Sequence, residues 1–325
     1  MKEIMLKDFQ IHINKELLQL ERALINSIKS DVDLATEVSF YILKSGGKRV
    51  RPTIAILIAR ALGYKGKELI TLSSAIELLH TATLIHDDVV DESDIRRGKK
   101  SIHKKWDNAH GVLVGDFVYS KAFQLMASLN NKEIIKTLAN STNKISEGEV
   151  LQLKLIESNK LKEEDYYEII GRKTAELFKA SALSAALLSD ANNKLVKASG
   201  NFAFSLGMVF QLRDDLLDYS GNKEITGKII GKDFMEGKVT LPLIKAFELS
   251  SSKDLEFLHK AFKRRDKNDL NKIIDIFNEC GAIEHVEKIT EEYSEKCLDF
   301  LLNLPDSLFR ESLQNIVLSL KKRIN

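Results

Sequence analysis

Apolar residues recur at helical spacing through most of the chain. The segments Leu34 to Leu43, Lys67 to Val90, Val112 to Leu129, Glu133 to Leu155 and Glu163 to Leu188 each repeat them every three or four positions, the period of one helix face. Alternating strand patterns are nearly absent, and only three prolines (Pro52, Pro242, Pro305) interrupt the chain, which leaves room for long helices. Breaks fall at Gly46-Gly47, Asp94 to Lys105, Ser158 to Lys162, Gly221 to Gly237 and Ser250 to Lys253. These read as loops within one unit, so residues 1–325 form one expected all-α domain. AELFKASALSAALL and NFAFSLGMVFQL are apolar on more than one face, and such helices belong in the middle of a bundle. No repeat of solenoid length and no low-complexity tract is apparent.

Composition narrows the function classes. With 44% hydrophobic residues in 325, the chain can bury a large core. Its 49 Lys+Arg against 47 Asp+Glu are mixed along the sequence, so a nucleic-acid partner is not indicated. The two cysteines, Cys280 and Cys297, lack metal-ligand spacing and read as packing residues of a protein in a reducing cytoplasm. The N-terminal stretch carries charges every few residues and is no signal peptide. The most apolar run, Thr53 to Ala59, is far shorter than the ~20 residues of a membrane span.

Two acidic clusters carry the chemistry. Asp87-Asp88-Val89-Val90-Asp91 closes one apolar helix, and Asp214-Asp215-Leu216-Leu217-Asp218 closes another. Asp87 with Asp91, and Asp214 with Asp218, are four apart and share a helix face, where like charges repel. A cation should compensate them. Hard divalent ions with oxygen ligands do so, and magnesium in particular keeps positions for water and substrate phosphates. One acidic cluster is commonly a solvated helix end; two copies of D-D-x-x-D point to one phosphate-handling site. Gly46 and Gly47 allow close backbone approach ahead of Lys48, Arg49 and Arg51. His80 lies two turns before Asp87, and Gln211 one turn before the second cluster. Lys173-Thr174 sits inside an apolar run, where a lysine is costly unless it meets an anion.

The segments LIHDDVVDESDIRRG and FQLRDDLLDYSG, with GGKRVRP and GKIIGKDFMEGKVTLP, resemble the trans-polyprenyl diphosphate synthases. The resemblance implies an isoprenoid-synthase helical bundle with a central cavity, a homodimer, and three magnesium ions held by Asp87, Asp91, Asp214 and Asp218, with Asp88, Asp215 and Lys173 also catalytic. It implies that Lys48, Arg51, His80 and Arg97 hold isopentenyl diphosphate. Arg96, Lys173, Thr174, Gln211 and Lys228 match positions around an allylic diphosphate, Lys238 lies in the matching basic loop, and Asp233 matches a further acidic position. Ionisation of the allylic diphosphate, attack by the isopentenyl double bond and loss of a proton to the released diphosphate would follow.

Ala82 and Thr83 precede Asp87 by about one helical turn and are small, so a growing tail should pass them. Phe117, Tyr119, Phe123 and Met126 offer a lower floor, or ordinary core. The wording from Leu78 to Met126 is most similar to long-chain bacterial members, which implies an octaprenyl product for quinone side chains and peripheral membrane contact during its release. A geranylgeranyl or hexaprenyl product, a noncatalytic subunit of a heteromeric synthase, a class I terpene cyclase and a purely structural helical protein are the rival readings. The retained aspartates and GGKRVRP weigh against the last three.

Overall fold

A computed structural model of the protein describes residues 11–158, 162–219 and 231–321. After a turn at Ile11–Ile13, α1 (Asn14–Ser27) and α2 (Asp33–Lys44) lead to the glycine pair. Gly46 has φ 79°, and Arg49, just before α3 (Val50–Ala61), has φ 50°. A residue with a Cβ adopts that region at a cost. Two carboxylates hold Arg49 there: Nε donates to Glu21 at 2.7 Å and Nη1 to the buried Glu77 at 2.7 Å. Pro52 then falls in the first turn of α3, where its missing N–H is not needed.

The next helix, α4 (Glu68–Val90), is the axis of the bundle. It is long and apolar enough to cross a membrane, but 67% of that apolar window is buried against other helices. It packs on α3 and on α6, introduced below. A two-rung hairpin, β1 (Ile95–Arg96) and β2 (Lys99–Lys100), follows it. Arg97 and Gly98 at its tip have φ 53° and 78°, the pair of positive values a tight two-residue hairpin turn requires. Next come α5 (Ile102–Lys105), α6 (Asn108–Ser128), capped by the Asp107 carboxylate on His110 N at 2.8 Å, and α7 (Lys132–Ser158).

Residues 163–188, expected as one helix, are interrupted. α8 (Glu163–Ile170) passes through a π turn at Gly171–Ala175 into α9 (Glu176–Leu188). A π turn inserts an extra residue and redirects side chains, and such turns occur often at functional sites. Glycines let both neighbours close on it. A Cβ on Gly148 of α7 would lie 2.8 Å from Arg172 Cβ, and one on Gly207 of α10 (Asn193–Tyr219) would lie 2.6 Å from Ala175 Cα.

The central layer is α3, α4, α9 and α10, with α9 touching the other three. Ala180, Ala182, Ala185, Ala186 and Ala203 keep these helices close, while Phe178 and Phe202 fill the space between. Each such aromatic contributes about 1.5–3 kcal/mol by its burial. The remaining helices, α11 (Lys232–Met235), α12 (Leu241–Leu249), α13 (Ser252–Arg264), α14 (Leu270–Glu279), α15 (Ala282–Leu301) and α16 (Leu308–Lys321), complete the bundle. Cys297 is buried on α15 and Cys280 half-buried, and both are free thiols.

Candidate active site

At one end of the central layer lies a cavity of about 210 Å³. Its polar wall is made by Asp91, Lys173, Gln211, Asp214, Asp215, Asp233 and Lys238. Separated stretches of sequence thus converge: the end of α4, α7 through Gln152, α8 with the π turn, and the end of α10 with the segment after Gly231.

In the first motif, α4 ends on Asp91, which lies exposed at the cavity edge. Asp88 is 2% exposed and is held by Arg96, whose Nε donates to Oδ1 at 2.8 Å. The hairpin brings this arginine back onto the helix that precedes it. Arg96, expected at the allylic diphosphate, pairs with Asp88 in this structure. Burial, with Glu149 adding repulsion and Lys173 opposing it, pushes the Asp87 carboxyl up to about 7.

In the second motif, Asp214 and Asp215 reach the cavity wall and Asp218 does not. Both Asp218 oxygens accept backbone N–H bonds, from Lys232 at 3.1 Å and Asp233 at 2.9 Å. Helical spacing alone put Asp214 and Asp218 on one open face, but the segment beginning at Gly231 folds over the second of them. Asp215 is instead the buried member facing the cavity. Tyr166 donates to its Oδ2 at 2.6 Å and Gln211 to its Oδ1 at 2.8 Å, while Thr174 donates to Gln211 at 2.9 Å. Burial outweighs these bonds and pushes the Asp215 carboxyl up to about 8.

A second group of cations gathers around Gly47. Its lack of a side chain leaves room for Arg97, since a Cβ would lie 2.9 Å from Arg97 Nη1. Arg51 donates through Nη1 to His80 Nε2 at 3.1 Å and lies 4.6 Å from the Phe178 ring. Burial and the surrounding arginines hold the His80 imidazole well below its usual range, so it is neutral and accepts. The Arg51 Nε is buried and donates to none of the described residues. Lys48 is exposed beside this group. Lys228 lies outside the described residues.

Lys173 and Lys238 supply the cavity's positive charge. Lys173 Nζ donates to Glu149 at 2.8 Å and Gln152 at 3.4 Å. Burial works against the Lys238 charge, but Glu236, Asp233 and Asp91 outweigh it and raise its pKa. Glu149, Gln152 and Tyr166 escaped the sequence motifs. Tyr166 lies 49 residues from the aspartate it serves. The one local signal was Gly148 next to Glu149, a small residue where a helix approaches a neighbour.

Below the first motif, Ala82 is fully buried, and Thr83 is half-buried with its hydroxyl donating to His80 O at 2.9 Å. Tyr119 and Phe123 stack edge to face at 4.9 Å on α6, but Phe123 is 42% exposed and lies on the outer side of the bundle. Met126 is buried core.

The donor set fits hard cations. It is all oxygen, it comes from two helices, and two of its carboxyls are held near neutral pH by burial, a condition a bound cation relieves. Among the described residues no group of three or more His, Cys, Asp or Glu encloses a metal position.

A helical bundle with paired aspartate motifs and two groups of basic side chains is the arrangement expected of a prenyl transferase. A family model for polyprenyl synthetase matches residues 32–280, and the chain belongs to that family. Octaprenyl diphosphate synthase of Escherichia coli is 40% identical over 300 residues, covering 92% of this chain and 93% of that protein. Two solved structures superpose over nearly the whole chain. The polyprenyl synthase of Caulobacter crescentus, complexed with calcium and isoprenyl diphosphate, has a TM-score of 0.91 at 35% identity, with 98% of both chains covered. The decaprenyl diphosphate synthase of Rhodobacter capsulatus has a TM-score of 0.92 at 33% identity, with 98% of this chain and 99% of that one covered. The protein is a polyprenyl diphosphate synthase, an enzyme that transfers prenyl groups.

Proposed function

We propose that the protein condenses an allylic diphosphate, with farnesyl diphosphate as primer, with successive isopentenyl diphosphates to an all-trans polyprenyl diphosphate of octaprenyl length. The observation that carries this reading is the convergence of Asp91, Asp214, Asp215, Lys173 and Lys238 on one cavity. The identity to a synthase named for an octaprenyl product supports the chain length. The same reading takes residues 1–325 as one synthase domain, a cytoplasmic homodimer whose product serves quinone side chains and leaves through peripheral membrane contact.

The carboxylates of both motifs, Asp87 and Asp91 with Asp214 and Asp215, would hold magnesium ions, three per site. When bound, these neutralise negative charge on the departing diphosphate. Asp218 supports the set by fixing the backbone at residues 232 and 233. Lys173, Thr174, Gln211 and Lys238 orient the allylic diphosphate, and Arg51, Arg97 and Lys48 hold isopentenyl diphosphate. Neutral His80 fixes the Arg51 guanidinium and brings no charge of its own to that group. The buried layers of α3, α4, α9 and α10 exclude water, which would otherwise quench an allylic cation. No side chain of the cavity is placed as an obvious base, so the released diphosphate takes the proton.

Incubating the purified protein with magnesium, farnesyl diphosphate and labelled isopentenyl diphosphate, then chromatographing the dephosphorylated products, tests this. Octaprenol is expected. Geranylgeraniol as the end product would retain the chemistry and refute the length, and no elongation from any primer would refute both.

A further inference from the structure

Helix α7 lines the cavity through Gln152 and places a carboxylate, Glu149, on the cavity-lining Lys173, which the aspartate motifs and basic segments do not account for. Gly148 lets α7 sit so close to the π turn that a Cβ there would lie 3.2 Å from Lys173 N. Glu149, the next residue, accepts from Lys173 Nζ through Oε2 at 2.8 Å, and both side chains are 25% exposed. Its other oxygen, Oε1, is buried and accepts no hydrogen bond from the described residues. Gln152, one turn further along α7, offers a longer contact to the same ammonium at 3.4 Å.

A carboxylate with one oxygen satisfied and the other buried without a donor is a poorly compensated counter-ion. A diphosphate offers Lys173 several charged oxygens in its place. The cost of separating the pair is then modest, and the ammonium is already held at the cavity wall when the ligand arrives.

We propose that Glu149 is the exchangeable counter-ion of Lys173, a positioning residue that holds the ammonium at the cavity wall and yields it to an incoming diphosphate. The proposal rests on reading the cavity as a diphosphate site. It gives Glu149 two opposed effects. The carboxylate weakens diphosphate binding by competing for Lys173, and it speeds release of inorganic diphosphate by reclaiming the same ammonium.

Glu149→Gln keeps the shape and an acceptor oxygen while removing the charge. Titration of inorganic diphosphate in the presence of magnesium, by calorimetry, should show about 5-fold tighter binding to the variant, the scale of a partly exposed ion pair. Steady-state kinetics should show a lower KM for the allylic diphosphate together with a lower kcat, a split that a merely structural role would not produce. In a Lys173→Met background the same substitution should change diphosphate affinity by less than about 2-fold, because the partner competed for is gone. Glu149→Ser should shift affinity in the same direction as glutamine, which guards against a folding artefact of one variant, with melting curves recorded for each. Unchanged or weaker binding by Glu149→Gln overturns the proposal, as does equal tightening in the Lys173→Met background, which would mark general repulsion. Wild-type protein that binds no diphosphate in this titration overturns the diphosphate reading itself, an outcome distinct from binding that the variant fails to tighten.

Discussion

Asp88 in the first motif meets an arginine, whereas Asp215, at the same place in the second D-D-x-x-D, meets a tyrosine and a glutamine. Both are almost fully buried, at 2% and 3% exposure. The last members differ as well: Asp91 ends its helix in the open, while Asp218 is covered by returning chain that gives it two backbone amides. The cause is the different course of the chain after each motif. A hairpin soon after Asp91 brings back a cation, so the first motif is held by charge from its own neighbourhood. The second is held by neutral donors from α8 and α10 and by the segment beyond Gly231. One sequence pattern therefore yields an ionic, partly open arrangement on one side of the cavity and a neutral, preorganised one on the other.

The largest effect should come from removing a carboxylate on either side. Asp87→Asn and Asp215→Asn are each expected to lower kcat/KM by about 10³-fold, the scale of losing one preorganised electrostatic contact in a water-poor site. Their effects on stability without metal should separate the two motifs. The Asp87 carboxyl is raised from 3.8 to about 7, so its contribution to stability is full below pH 3.8 and is lost as pH rises through 7. At pH 8 Asp87→Asn should therefore melt higher than wild type. Asp215→Asn gains from the same relief but disturbs bonds to Tyr166 and Gln211, so its melting temperature should rise less. Equal shifts in thermal melts would erase the distinction.

Arg96→Ala attacks the ionic side alone. It leaves Asp88 buried without its partner, and breaking a buried pair costs about 3–5 kcal/mol. Because Arg96 is 28% exposed, water recovers part of this, and about 2–3 kcal/mol in denaturant unfolding is expected. A loss under about 1 kcal/mol would mean that the hairpin arginine is not what holds the first motif.

Much of this asymmetry was invisible in the sequence. Helix positions were legible because apolar spacing is a local signal: α2, α4, α6 and α7 fall within a few residues of the stretches the pattern marks. The two acidic clusters were legible because each closes an apolar run. The π turn was not, since nothing local separates five residues of π geometry from the helix around them, and the glycines that let neighbours close on it, Gly148 and Gly207, lie on two other helices. The loss of Asp218 to backbone amides depends on residues 232 and 233 folding back. The pairing of Arg96 with Asp88 needed the hairpin, whose sequence signal is a single Arg-Gly turn.

The neutral side also rests on an ionic clamp at the start of α8, and acid should loosen it. Glu163, at the start of α8, accepts from Lys245 at 2.9 Å and Tyr167 at 2.8 Å, and pairs with His285 at 2.9 Å. Burial disfavours its charge, but His285, Lys245 and Tyr167 outweigh burial and lower its pKa from 4.5 to about 2. A carboxyl depressed in the folded state stabilises above its unfolded value and loses that contribution as pH falls towards the folded one. About 2 kcal/mol should be lost between about pH 4.5 and pH 3 from this group. Glu163→Gln should flatten that part of the stability profile, read by denaturant unfolding at each pH. An unchanged slope would mean that Glu163 does not clamp the helix carrying Tyr166.

The smallest effect should come from Tyr166→Phe, and it asks whether the neutral donors around Asp215 act individually. The substitution keeps the ring, which stacks edge to face on Tyr167 at 5.8 Å, and removes only the hydroxyl that donates to Oδ2. One buried acceptor then loses one of its two side-chain donors, at about 1 kcal/mol. Gln211 still donates to Oδ1, so the carboxyl keeps its place and kcat should fall by less than about 10-fold. The Gln211→Leu variant should behave alike, with Thr174 also losing its acceptor. If the double variant loses far more than the sum, the tyrosine and glutamine hold Asp215 as a unit; if the losses add, each bond is independent. On the ionic side, by contrast, one arginine supplies two donors to Asp88, so a single substitution removes both.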